Sequence, residues 1–311
     1  MATDARVLQE HSLRPQVSTV QRWRRSLTNF IRHKPLGTFG AVIVIVLIAM
    51  AIAPQVFARG FDPNVGPLRD RLQGPSWEHW FGTDNQGRDL YARIVYGART
   101  SIIIGFGVVF VSSTIATVVG VTSGYVGGWA DTIIQRLVDI GIAMPGLIFI
   151  ILFVTSVKQV PVTHQEIPTT MAIVLAVGLL IATGSSRVIR GAAISSKQNQ
   201  YVEAARVLGA SPTRIVFRHV LPNVVPVIIV SASIQIGGAI LIDASLSFLG
   251  YGVQPPTASW GRMITDAQQF LANYPHLAIF PGLAIFFTVY SFNMLGDALR
   301  DVMDPRLRGS R

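Results

Sequence analysis

The sequence predicts an all-α integral membrane protein with six transmembrane helices and both termini in the cytoplasm. Three observations carry that prediction. Half of the 311 residues are hydrophobic and only 14% are charged, against about 25% in a soluble domain. Six charge-poor apolar runs reach or approach the ~20 residues a helix needs to cross the hydrocarbon. The basic residues gather between those runs, mostly on one side. The mean hydropathy of +0.47 agrees, and the runs leave little chain for a separate soluble domain.

The first run lies between Lys34 and Arg59, around Val42–Ile48. Ala51-Ile-Ala53 is like a signal-peptide cleavage site, but the run follows 36 residues and is longer than a signal h-region, so a retained helix is predicted. The second runs from Ser101 to about Gly124, and the third from Ile140 to Val157. The fourth lies between Glu166 and Arg187, the fifth runs from Asn223 through Ile242 and up to Phe248, and the sixth spans Leu277 to Gly296. The resulting layout is a cytoplasmic tail (1–36), a first transmembrane helix (37–57) and an extracytoplasmic loop (58–99). A five-helix core (100–296) carries a cytoplasmic loop at 187–222, and a second cytoplasmic tail (297–311) closes the chain.

Six spans put both termini on one side. The termini and even-numbered loops hold 18 of the 26 Lys and Arg, so the positive-inside rule makes that side cytoplasmic. Arg88, Arg93 and Arg99 go against the bias. Within residues 17–34, Val20, Trp23, Leu27, Phe30 and Ile31 recur at helical spacing, and Arg22, Arg24, Arg25, Arg32 and Lys34 fall largely elsewhere around the helix. That pattern suits a helix lying on anionic membrane lipid rather than on nucleic acid. The chain has no cysteine, which excludes disulfides, thiolate nucleophiles and cysteine metal sites.

The informative segment is the loop from Arg187 to Pro222, which has a helical grammar. Asn199 suits an N-cap, and Glu203 falls in the first turn, at the positive end of the helix dipole. Ala204 and Ala205 favour helix and permit close approach of another surface. Gly209 suits a left-handed helix end. Ser211-Pro212 caps and starts a second short helix, and Pro222 marks the start of the fifth span. A short helix, a glycine elbow and a second short helix outside the bilayer are expected.

Glu203-Ala204-Ala205-x3-Gly209-x9-His219-Val220-Leu221-Pro222 resembles the EAA signature of permease subunits in ATP-binding-cassette importers. His219 stands where the general pattern has Ile. The resemblance extends to Phe81–Asp89, Tyr96–Ser101, Gly237–Gly250 and Asp304–Arg308, which look like the "C" subunits of dipeptide, oligopeptide and nickel permeases. It implies the type I importer permease fold, with Glu203, Ala204, Ala205, Gly209, Leu221 and Pro222 coupling the pore to ATPases. It also implies partners: a homologous B-type permease, two ABC ATPase subunits and an extracytoplasmic substrate-binding protein. The implied cargo is di- or oligopeptide, with nickel or another small solute as the alternative. ATP and Mg would bind the partner ATPases, with no cofactor on this chain.

The remaining polar residues admit two readings each. Asp243 is the one carboxylate well inside an apolar run, about 30 Å along the fifth helix at ~1.5 Å per residue. An intramembrane acid is a functional candidate by default. It would line an outer vestibule on the substrate path, or pair with Arg262 or a partner subunit. Asp84, Arg88 and Asp89 would contact the binding protein, or would structure an interfacial loop in which Asp89 and Arg93 pair at i,i+4. Gly82 and Gly87 read as turn residues. Arg136 and Asp139 suggest a local ion pair, and Met144-Pro145-Gly146 a kink with a possible hinge role. Trp77, Trp80, Trp129 and Trp260 suggest lipid-interface positions.

The chain has neither a P-loop nor a nucleophile elbow. Lys34, Lys158 and Lys197 are its only lysines and none follows a glycine. Its histidines are scattered and suggest no metal site. A stand-alone secondary transporter would need several intramembrane charges, paired half-helices or repeats, and a membrane-embedded enzyme would need clustered polar groups at depth.

Overall fold

The computed structural model describes residues 31, 34–158 and 168–303. Most of the proposed N-terminal amphipathic helix and the Asp304–Arg308 motif lie outside them. The described chain is helical, with no named strand. Its helices are α1 (Pro35–Ile52), α2 (Pro54–Phe57), α3 (Leu90–Val126), α4 (Gly128–Ala143), α5 (Gly146–Lys158), α6 (Thr169–Lys197), α7 (Gln200–Val207), α8 (Pro212–Ile215), α9 (Leu221–Phe248), α10 (Trp260–Ala267) and α11 (His276–Met303).

Five helical stretches are long and apolar enough to cross a membrane: α1, α3, α6, Pro212–Phe248 and α11. The third predicted run is met by α4 and α5 together, but these meet at 93°. The expected kink in a continuous third span is therefore corrected to a break. Met144, ahead of Pro145, is held extended at φ −71°, ψ 134°, because the proline ring disfavours helical geometry in the residue before it. Three of the other runs are underestimated at their ends, and the first is overestimated: α1 stops at Ile52, ahead of Pro54, instead of reaching 57. Asp89 starts α3 well before Ser101 by accepting the Ala92 N–H at 2.7 Å, and α6 continues beyond Arg187 to Lys197.

Small residues set the packing. A Cβ on Gly120 would lie 2.6 Å from the Ser186 carbonyl oxygen, and one on Gly124 2.8 Å from that of Arg190. Gly107 and Gly178 meet Val174 and Val111 further along, so α3 and α6 run parallel with backbones nearly touching. Such small-residue seams are how helices associate in lipid, where apolar burial gives little drive. Gly237 against Val289 and Gly296 against Ser233 and Ile234 set α9 antiparallel to α11. Gly40 brings α1 onto α11 at Ser291, and Lys34 pairs with Asp301 where α1 begins and α11 nears its end.

The bundle thus has two ends. One carries residues 53–89 and 249–275, and is called here the loop end. The other carries the turn at Gly127 and the segment from Gln198 to Ser211, the elbow end. Large apolar side chains such as Phe39, Ile45, Phe110, Leu152 and Phe286 point outward along the shaft, as lipid-facing positions do.

Candidate functional site

At the elbow end the chain leaves α6 and turns back into α9 with almost no slack. Only Gln198 and Asn199 separate α6 from α7. Lys197 fastens this corner by donating to the Tyr125 carbonyl oxygen at 2.6 Å while lying over that tyrosine's ring. Asn199 holds the expected N-cap position in extended geometry, but its side chain donates to the Tyr201 hydroxyl at 3.1 Å instead of capping.

The turn after α7 is a Schellman motif. The Gly209 N–H donates to the Arg206 oxygen and the Ala210 N–H to the Ala205 oxygen, both at 3.0 Å, which satisfies carbonyls the helix end would orphan. Gly209 has φ +79°. A Cβ there would meet nothing within 4 Å, so conformation alone calls for glycine. Ser211 then caps α8, its hydroxyl accepting the Arg214 N–H at 3.4 Å. The second limb is not a separate helix, as the sequence suggests. A π-turn at Val216–Val220, closed by the Leu221 N–H on the Val216 oxygen, carries α8 directly into α9. Pro222 is the second residue of α9, immediately after this wide turn.

Three buried side chains hold the elbow down. Val202, Ile215 and Val220 pack with Ala116, Val121, Ile189 and Ala193 of the α3–α6 pair. Each contributes about 1.5–3 kcal/mol of burial. Sequence reasoning missed these anchors, although an apolar residue on a short polar helix is their visible signal. The rest of the elbow points outward. Glu203 and Ala204 are exposed, Ala205 and Leu221 are half-buried and Pro222 is exposed. Val207 and Leu208 are 83% and 86% exposed. Among the described residues, Glu203 has no side-chain partner.

Beside the elbow lies a polar junction. Arg190 of α6 grips Asp131 of α4 with two bonds, Nε to Oδ1 at 2.7 Å and Nη2 to Oδ2 at 2.5 Å. Ser123 of α3 also donates to Asp131, and Gln135 donates to Ser123 at 2.9 Å. Asp139 pairs with Arg187 of α6, not locally with Arg136 as expected.

The loop end is built in the opposite way. Asp84 Oδ1 accepts the backbone N–H groups of Gln86 (2.8 Å) and Arg88 (3.0 Å), while Oδ2 accepts Arg88 Nε at 2.7 Å. Arg93 sits 3.6 Å from the same oxygen and donates to the Pro63 carbonyl at 2.8 Å. Asp89 caps α3 and holds His79 Nδ1 at 2.8 Å. The expected Asp89–Arg93 side-chain pair is therefore replaced by Asp84–Arg93. Asp84, Arg88 and Asp89 are buried, and their bonds to backbone and to one another's neighbours frame the loop. Gly82 (φ +81°) and Gly87 (φ +76°) are turn residues, as expected. Trp77 is 94% exposed. Trp129 is also exposed, and Trp80 stacks under Arg59 at 4.2 Å. Trp260 departs from its expected interface position: it is core, 1% exposed, with Nε1 donating to the Ile94 oxygen.

Asp243 is 2% exposed, and its Oδ1 has no hydrogen-bond partner. It does not open onto a vestibule within this chain. Arg262, its anticipated partner, pairs with Asp266 at 2.9 Å.

Residues 116–309 match the family described as "Binding-protein-dependent transport system inner membrane component". The dipeptide transport system permease protein DppC of Alkalihalophilus pseudofirmus is 37% identical over 293 residues, 94% of this chain and 93% of that protein. The glutathione transport system permease protein GsiD of Pectobacterium atrosepticum is 41% identical over 288 residues, 92% of each chain. A crystal structure of an amino acid ABC transporter with histidines aligns at a TM-score of 0.49 and 18% identity, over 68% of this chain and 94% of that one.

Proposed function

The chain belongs to the family of binding-protein-dependent transport system inner membrane components, and from that membership we propose that it conducts peptides through a half-pore driven by ATP hydrolysed on other subunits. It is a multi-pass protein of the bacterial inner membrane and the permease subunit of an ABC importer. In the proposed assembly a homologous permease supplies the other half of the pore. Two ATPases dock at the elbow end, which faces the cytoplasm, and a substrate-binding protein delivers cargo at the loop end. The cargo is a short peptide, in line with the dipeptide and glutathione named for two relatives.

One observation carries the mechanism. The elbow is exposed, capped at Gly209 and Ser211 and joined to α6 and α9 without slack. A force on α7 therefore reaches two spanning helices instead of being absorbed by a loose loop. Glu203, Ala204 and Ala205 form the docking face: the alanines admit a close partner and Glu203 offers it an unpaired charge. Gly209 fixes the angle of the two limbs, and Leu221-Pro222 begins the driven helix.

Glu203→Lys tests this reading. Uptake of a labelled dipeptide and substrate-stimulated ATP hydrolysis should both fall by at least tenfold, with membrane insertion unchanged. Normal uptake in that variant overturns it. So does labelling that finds a cysteine at Gly209 reachable only from outside the cell.

A further inference from the structure

The broken helix α4 has an unusual attachment. Val138 is its only buried residue, and Trp129, Ile133, Leu137 and Ile140 are exposed. Polar groups hold it to the bundle instead. Arg190 clasps Asp131 with two parallel bonds of 2.5–2.7 Å, Ser123 braces the same carboxylate, and Arg187 holds Asp139. At its far end α4 is freed from α5 by the 93° break at Met144-Pro145. A helix with little apolar burial, held by charged contacts along its length and broken from its neighbour at one end, is a natural moving part.

Arg190 and Arg187 sit on the last turns of α6, which lead through two residues into α7. Resting on the coupling reading of the elbow, we propose that the Asp131–Arg190 clasp is a second coupling element: it carries elbow displacement along α6 into α4, which swings about Met144-Pro145. Asp131 and Arg190 act as positioning residues and touch neither cargo nor nucleotide. The bidentate geometry matters, because one planar guanidinium on two carboxylate oxygens fixes direction as well as distance, which a lysine point charge does not.

The test uses the complete transporter in proteoliposomes. The chain has no cysteine of its own, so spin labels are placed by Trp129→Cys on α4 and Leu208→Cys on the elbow. Each is measured against Phe110→Cys on α3, with and without trapped nucleotide. In the otherwise unaltered chain both distances should change, by roughly 2–5 Å. In Asp131→Asn and in Arg190→Lys the elbow distance should still change and the α4 distance should stay fixed. Basal ATP hydrolysis should persist while substrate moved per ATP falls about tenfold. The exchange Asp131→Arg with Arg190→Asp should restore the α4 movement in part. An α4 distance that ignores nucleotide in the unaltered chain, or that still follows it in both single variants, overturns the clasp. An elbow that does not move in the unaltered chain instead overturns the coupling reading beneath it.

Discussion

The loop end and the elbow end solve opposite problems with the same residue types. At the loop end, Asp84, Arg88, Asp89, Arg93 and His79 are buried and bonded to one another or to backbone. At the elbow, Glu203, Arg206, Arg214 and Arg218 are exposed, and three apolar anchors do the holding. Buried, mutually satisfied charges make a fixed cap, since freeing one partner strands the others out of water. A few apolar anchors under an exposed charged face make a part that others can grip. The difference says where stability and where communication are invested.

Substitutions can break or sharpen that contrast. Asp84→Ala strands two buried guanidinium groups and two backbone donors, and should destabilise by about 3–5 kcal/mol. It would be read as a large drop in thermal midpoint or loss of folded protein in detergent. Glycines come next. Gly87 and Gly209 both have positive φ, but a Cβ on Gly87 would lie 2.2 Å from the Pro67 carbonyl oxygen and one on Gly209 would touch nothing. Gly209→Ala should cost only the left-handed penalty of about 1–2 kcal/mol, with Gly87→Ala clearly worse in parallel melts.

Val202→Ala should cost about 1–2 kcal/mol from lost burial and a residual cavity. Its effect should be local, seen as faster amide exchange in α7 with no change at the loop end. Glu203→Ala should be smallest, within about 0.5 kcal/mol in stability, while uptake falls sharply. Were Glu203→Ala to unfold the protein, or Asp84→Ala to leave its melt untouched, the contrast between the two ends would collapse.

Much of this was legible in the residues. Five apolar runs became spanning stretches because charge-free length is a local property, and the elbow followed from its caps, Gly209 and Ser211-Pro212. Other features depend on chain that lies far away. Nothing near Asp131 announces Arg190, and nothing near Arg93 says that Asp84, not Asp89, will be its partner. Trp260 looked like an interface tryptophan because sequence shows that it lies in a loop, but not that Gly97 opens room for its ring against α3. The sharpness of the break at Pro145 was hidden for a related reason: proline marks where a helix fails, and packing against α6 decides the angle. Asp243 was placed by depth along its helix, and depth does not reveal whether neighbours close over a side chain.

The π-turn at Val216–Val220 has a consequence for how this chain can vary. It stores one residue more than an α-helix would need over the same rise. Deleting a single residue there would restore ordinary winding and leave the segments on either side aimed much as before, because the wide turn takes up its extra residue within one circuit. A residue removed from the regular winding of α9 has no such slack, and would rotate everything before it by about 100° relative to the rest of that helix. The proposed docking face of α7 would then be aimed at a different point of the compass, with every helix still intact. Length along this limb is thus an angular setting, and the five positions of the π-turn are the one place where a residue can be lost with the aim kept.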